Sequence, residues 1–214
     1  MGEDTEDTED TEDTWATLAE QFADEAYATV KGYVRTYVMH QQLLEQLPPP
    51  PAQLLDVGGG AGHQSFPLAQ AGYQVTLLDP SQAMLDKATQ RLERLPAEAR
   101  RRVTLLRADD EDADEAVGGR RFDAVLCHGV LGVQGRADTV EGLSELMRRA
   151  DVEPVRWYGV WLFVDWLEFS GAQLDPTDSA QVGAQAAVEL EASRRDPYRR
   201  LSRVFHLVGR KDPA

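Results

Sequence analysis

The sequence predicts an α/β fold, a mainly parallel sheet with helices on both faces. Two observations carry that expectation. Short apolar runs alternate with segments of helical periodicity, as in Gln53–Val57, Gln74–Leu78, Arg102–Arg107 and Arg121–Gly129, and such alternation is the pattern of strands joined by crossover helices. The first of these runs also ends directly in GGGAG, a glycine-rich turn feeding a helix.

The chain has 214 residues, 42% of them apolar, which suits one domain with a sizeable core. Net charge is −15, and residues 1–14 hold eight acids and no base. These TED repeats contain no side chain that could anchor them and are expected to be a disordered acidic tail, with a docking tail as the functional alternative. The remaining body is still acidic, which argues against wide, non-specific nucleic-acid binding, because that needs clustered Lys and Arg. No long apolar run predicts a membrane span, and the acidic start is unlike a secretion signal. The expected location is therefore cytoplasmic. The single cysteine, Cys127, excludes an internal disulfide and a multi-cysteine metal site, so no metal is expected. Its apolar surroundings, FDAVLCHGV, predict a buried, inert thiol.

Residues 15–47 read as an N-terminal helical leader or lid. Trp15, Leu18, Phe22, Tyr27, Val30, Val34, Val38, Leu43 and Leu44 recur at three- and four-residue steps, and Gly32 is expected to break the stretch into two helices. PPPP at 48–51 ends it. Residues 52–212 form the main domain. Its first helix is expected over His63–Ala71 with Gly72 at the C-terminal cap. The second strand stops at Asp79-Pro80-Ser81, where Ser81 caps a helix to about Leu95. A helix over Ala137–Ala150 and two late strands, Glu153–Phe163 and Val204–Arg210, complete the chain.

The chemistry concentrates at Asp56-Val57-Gly58-Gly59-Gly60-Ala61-Gly62. Glycine there permits backbone angles that a Cβ forbids and lets a ligand approach the chain closely. A dinucleotide turn requires G-x-G-x-x-G. Here the glycines fall at 58, 60 and 62, and position 63 is His, so the spacing disfavours a nicotinamide cofactor. Asp79, ending the second strand 21 residues after Gly58, is placed to accept both hydroxyls of a ribose. His128, ending the fourth strand, lies where ligands of open α/β sheets bind. It is a candidate for ligand contact and, less so, for general-base work.

The pattern D-x-G-x-G-x-G resembles the first motif of class I S-adenosylmethionine-dependent methyltransferases, which are Rossmann-like. The resemblance implies S-adenosyl-L-methionine as cofactor and S-adenosyl-L-homocysteine as product. It implies that Asp56, Gly58, Gly59, Gly60 and Gly62 form the cofactor loop. Asp79 and Pro80 then hold the ribose side, and Ala83 and Met84 pack on the adenine. Asp110 or Glu111, in the acidic stretch after strand three, meets its amino group, and His128 touches the cofactor. FADEAYATVKGYVRTYVMHQQL, LLDVGGGAGHQS, LLDPSQAMLDKA, LCHGVL and ELEASRRDPYRRLSRVFHLVGRK are similar to one branch, the SmtA-like group around the tRNA 5-carboxymethoxyuridine methyltransferases. By that resemblance Arg35 grips the methionine carboxylate, and the acceptor is tRNA-borne or a small molecule. Arg194, Arg195, Arg199 and Arg200 would meet an anionic acceptor or form a solvated basic surface. A carboxylate acceptor needs no base, which fits the lack of a clear acid–base pair.

The class normally has seven strands, the last forming a C-terminal antiparallel hairpin. Here six are visible. No PGG turn or fifth strand is visible near 150–151, where LMRRA runs straight into DVEP, so either the protein lacks that strand or a stretch bearing it stands outside this sequence. That gap leaves a non-catalytic cofactor-binding or scaffold module as the alternative to an enzyme.

Overall fold

The computed structural model describes residues 29–109, 111–128, 139–169, 171, 175, 177–202 and 204–211. The acidic tail, the first half of the leader, Asp110 and residues 129–138 lie outside the described residues. In chain order the elements are α1 (Val30–Gln46), β1 (Gln53–Val57), α2 (Ser65–Gln70), β2 (Gln74–Asp79), α3 (Gln82–Glu93), α4 (Ala97–Arg100), β3 (Val103–Arg107), α5 (Ala113–Ala116), β4 (Ala124–Cys127), α6 (Val140–Arg149), β5 (Glu153–Val160), α7 (Phe163–Phe169), α8 (Ser179–Ala192), α9 (Tyr198–Leu201) and β6 (Val204–Arg210).

The chain divides into two compact units. One contains Leu47–Val130, the other Tyr27–Gln46 together with Leu131–Ala214.

The first unit is built on a parallel sheet in the order β3-β2-β1-β4. Leu54, Leu77 and Leu78 have no solvent exposure, because β1 and β2 are flanked on both edges. Leu55, Leu78 and Val117 centre a core that Val57, Leu106 and Phe122 extend. Ser81 caps α3 as expected, its hydroxyl accepting from the Met84 amide. Gly72, at φ 105°, ends α2. Helix α2 begins at Ser65 rather than His63, because left-handed Gly62 (φ 79°) is followed by turn before the helix starts.

Among the described residues β4 is an edge strand, and Val125 on it is 62% exposed. Cys127 is exposed as well, which overturns the expected buried thiol. The apolar run FDAVLCHGV predicts burial, whereas among the described residues β4 lies at the edge of the sheet.

The second unit pairs β5 with β6 as an antiparallel hairpin, in a sheet of its own. Among the described residues the strands number six, with none between β4 and β5. Helix α1 is continuous from Val30, and Gly32 lies buried in its first turn instead of breaking it. The Gly32 amide donates to the Thr29 hydroxyl, so the turn keeps its hydrogen bonds. Val34 and Val38 of α1 pack with Val164 and Ala186. Buried Gln42 joins three elements: its amide donates to the Gly159 carbonyl and the Ser193 hydroxyl, and its oxygen meets His206 Nδ1 at 3.0 Å.

β5 stops at Val160, three residues before the expected end. Trp161 there takes φ 61°, a left-handed conformation that leaves the strand and costs a bulky residue about 1–3 kcal/mol.

Among the described residues no helix is long and apolar enough to cross a membrane, and no metal-ligating cluster occurs.

Candidate functional site

β1 and β2 run parallel in register, Val57 opposite Leu78. Beyond Val57 the chain leaves the sheet in one tight step. The amides of Gly58 and Gly59 both donate to the Leu78 carbonyl, at 2.8 and 3.2 Å. Gly58, Gly60 and Gly62 have φ of 66°, 53° and 79°, so each second residue of the turn needs glycine's freedom.

The glycines nonetheless differ in what surrounds them. A Cβ on Gly59 would lie 2.7 Å from Leu77 Cγ and 3.0 Å from the Asp56 carboxyl carbon. On Gly62 it would lie 2.5 Å from the Phe66 ring. These two positions are closed by the protein's own packing. At Gly60 the nearest atom is Met84 Sδ, at 3.9 Å, so the backbone there is open to a close approach.

Asp79 ends β2 and reaches back to this turn. One carboxylate oxygen accepts from the Gly60 amide at 2.8 Å, the other from the Ser81 amide at 2.9 Å. Each oxygen keeps a further lone pair. The side chain is buried, which raises its pKa, while the two amide bonds oppose the rise.

Asp56 is 2% exposed and accepts from the Ser65 hydroxyl at 2.6 Å, joining β1 to the first residue of α2. Burial lifts its pKa to about 6; the Ser65 bond opposes this and the Asp79 charge adds to it. Met84 is 8% exposed. Asp79, Gly60 and Met84 are thus brought to one place, with Asp56 packed against Gly59.

Pro80 is exposed, and its carbonyl accepts from Arg107 Nε at 3.1 Å. Glu111 is exposed in the turn after β3, and Asp110 lies outside the described residues. His128 follows β4 and is half-buried. Arg35 belongs to the second unit, where its guanidinium lies 5.1 Å from the Trp161 ring centre. Arg194 and Arg195 pair with Glu45 and Glu191. Arg199 and Arg200 share Asp196, with Arg199 stacked 4.3 Å from the Trp157 ring centre. Sequence reasoning missed Ser65, which fixes Asp56, and the contact of His63 with Arg91 in α3. A hydroxyl nine residues after an acid carries no sequence signal of its own.

Residues 55–151 match the family model described as a methyltransferase domain. Over 79 residues the chain is 38% identical to the tRNA 5-carboxymethoxyuridine methyltransferase of Escherichia coli (strain K12), covering 36% of this chain and 30% of that protein. The chain thus spans under a third of the length of the curated relatives it matches. In fold it is similar to the magnesium protoporphyrin IX methyltransferase of Synechocystis PCC 6803, with TM-score 0.61 at 17% identity over 76% of this chain and 94% of the other. The stretch matched by the methyltransferase-domain model, residues 55–151, takes in the end of β1, the glycine turn and Asp79.

Proposed function

We propose that this chain binds S-adenosylmethionine at the glycine turn and transfers its methyl group to an acceptor. The observation that carries the reading is the Asp79–Gly60 bond beside an open backbone position. A ribose can place its hydroxyls on the remaining lone pairs of Asp79, and the space at Gly60 admits a thioether or sulfonium without displacing protein atoms. Gly58 and Gly60 form the loop surface, while Gly59, Gly62 and Asp56 maintain its shape. Met84 offers an apolar flank to the adenine. Glu111 or Asp110 takes its amino group, and Pro80 and His128 complete the contacts.

When bound, the cofactor supplies a methyl group on an electrophilic sulfonium. The protein then orients an acceptor in line with it and excludes water. A carboxylate acceptor is already nucleophilic, so His128 need not move a proton. The acceptor is a tRNA-borne or small carboxylate, a reading supported by the 38% identity to a tRNA-modifying enzyme. A cytoplasmic location accords with that class of acceptor.

The test is transfer of a labelled methyl group from S-adenosylmethionine, with tRNA and small carboxylic acids as separate acceptors. Base-labile label in tRNA supports an esterified carboxylate. Label in small acids alone removes the tRNA reading. Tight S-adenosylhomocysteine binding with no transfer to either would leave a binding module.

A further inference from the structure

A carboxylate lies buried beneath the glycine turn without a cation beside it. Asp56 is 2% exposed, and among the described residues no basic side chain is seen to act on it. Its register partners are Leu77 of β2 and Leu126 of β4. The hydroxyl of Ser65, a fully buried residue of α2, donates to it at 2.6 Å. The other charge that acts on it is Asp79, which is also negative. The amides of the turn are committed elsewhere: those of Gly58 and Gly59 donate to the Leu78 carbonyl, and that of Gly60 to Asp79. An ionised carboxylate so enclosed is costly until a cation comes near.

The turn is thin where the carboxylate meets it. A Cβ built on Gly59 would lie 3.0 Å from Asp56 Oδ2, so the carboxylate packs directly against the backbone there. One residue on, a Cβ at Gly60 would meet only Met84 Sδ, at 3.9 Å, and this is the open surface assigned to the sulfur of the ligand. The buried charge and the open surface are thus one residue apart, and neither glycine puts a side chain between them. A charge in so dry a site is weakly screened over that separation. S-adenosylmethionine brings a sulfonium cation to this surface. S-adenosylhomocysteine brings a neutral thioether on the same nucleoside and amino-acid end.

We infer that Asp56 is a specificity-determining residue, whose buried carboxylate favours the sulfonium of S-adenosylmethionine over the thioether of S-adenosylhomocysteine, and that Ser65 is a positioning residue that keeps this carboxylate ionised. The inference rests on the proposed reading in which the sulfur lies at Gly60. The same charge then holds the cofactor and lets the product go, because its attraction ends once the sulfur is neutral.

The experiment measures both affinities by calorimetry from about pH 5 to about pH 7.5, across the range in which a carboxyl group with this pKa titrates. Burial lifts the Asp56 pKa to about 6, so its carboxyl is mostly neutral at the lower end and ionised at the upper. We expect the preference for S-adenosylmethionine over S-adenosylhomocysteine to grow severalfold across this range in the parent chain. Asp56→Asn keeps the shape and an acceptor for Ser65. It should flatten the profile and lower the preference about tenfold at about pH 7.5, while changing S-adenosylhomocysteine affinity by less than about twofold. Ser65→Ala removes a bond to the ionised form and should move the rise to higher pH. A purely structural role would weaken both ligands alike and leave the profile in place. His63, which meets Arg91, and His128 are of a residue type that titrates in this range. A preference that still follows pH in Asp56→Asn belongs to such groups and overturns the inference. If the parent binds both ligands equally at every pH, the inference falls and the cofactor reading stands. If it binds neither, both fall.

Discussion

The Asp79 carboxylate accepts the Gly60 amide at 2.8 Å, tying the end of β2 to the turn that leaves β1. The same carboxylate takes the Ser81 amide at 2.9 Å, so one side chain fixes the start of two loops. Asp79→Ala leaves both amides without this partner, an expected loss of about 1–3 kcal/mol in stability. Affinity for S-adenosylhomocysteine should fall beyond detection by calorimetry, since the sugar hydroxyls lose their acceptor. Unchanged affinity in that titration would remove the ribose assignment.

The unequal crowding of the glycines separates folding from binding. Gly59→Ala and Gly62→Ala drive a Cβ to 2.7 Å from Leu77 and 2.5 Å from Phe66, and each should cost about 2 kcal/mol or more in chemical denaturation. Gly60→Ala meets only Met84 at 3.9 Å, so its cost is the left-handed backbone, roughly 1–2 kcal/mol. Its larger effect should be on S-adenosylhomocysteine affinity. Equal binding by Gly60→Ala and parent would show that the ligand does not approach there.

Two buried titratable groups give the units opposite responses to pH. Asp56 has a folded pKa of about 6, above its ordinary 3.8, through burial. The folded state then binds more protons, so stability of the first unit falls as pH rises from about 4 to about 6, by roughly 3 kcal/mol. His206 is lowered by burial from 6.5 to about 4. There the unfolded state binds more protons, and stability of the second unit is lost by a similar amount, roughly 3 kcal/mol, as pH falls from about 6.5 to about 4. Trp157, Trp161 and Trp166 all lie in the second unit. The His206 contribution to urea midpoints followed by tryptophan fluorescence should therefore drop on acidification, against the opposite contribution of buried Glu189, whose pKa burial raises, and His206→Gln should remove it. Hydrogen exchange of β1 and β2 amides should move the other way and be flattened by Asp56→Asn, which keeps an acceptor for Ser65.

Gln42 is fully buried and meets Gly159, Ser193 and His206. Gln42→Leu strands those groups, and a loss of about 2–4 kcal/mol is expected in fluorescence-monitored unfolding. A variant as stable as the parent would mean that water replaces the side chain.

Exposure of Cys127 predicts that an aromatic disulfide reagent titrates one thiol per native chain, at a rate within about tenfold of the urea-unfolded protein. Strong protection in the native state would place cover over the end of β4.

β1, β2, β3 and β4 with their helices, the Ser81 cap, and the glycine turn followed by Asp79 are legible in the residues alone. Each rests on local signals: apolar runs, punctuating glycines and a capping hydroxyl act over a few residues. Long-range packing settles what no local pattern carries. The glycines look alike in sequence, yet neighbours from β2 and α2 close two of them and leave Gly60 open. The run FDAVLCHGV predicts burial, yet Cys127 and Val125 are exposed because β4 is an edge strand among the described residues. Gln42 finds His206 across 164 residues, and Trp161 leaves the strand because Glu189 holds the amides beyond it. Such contacts depend on which elements meet in space, and chain separation hides that from any window of the sequence.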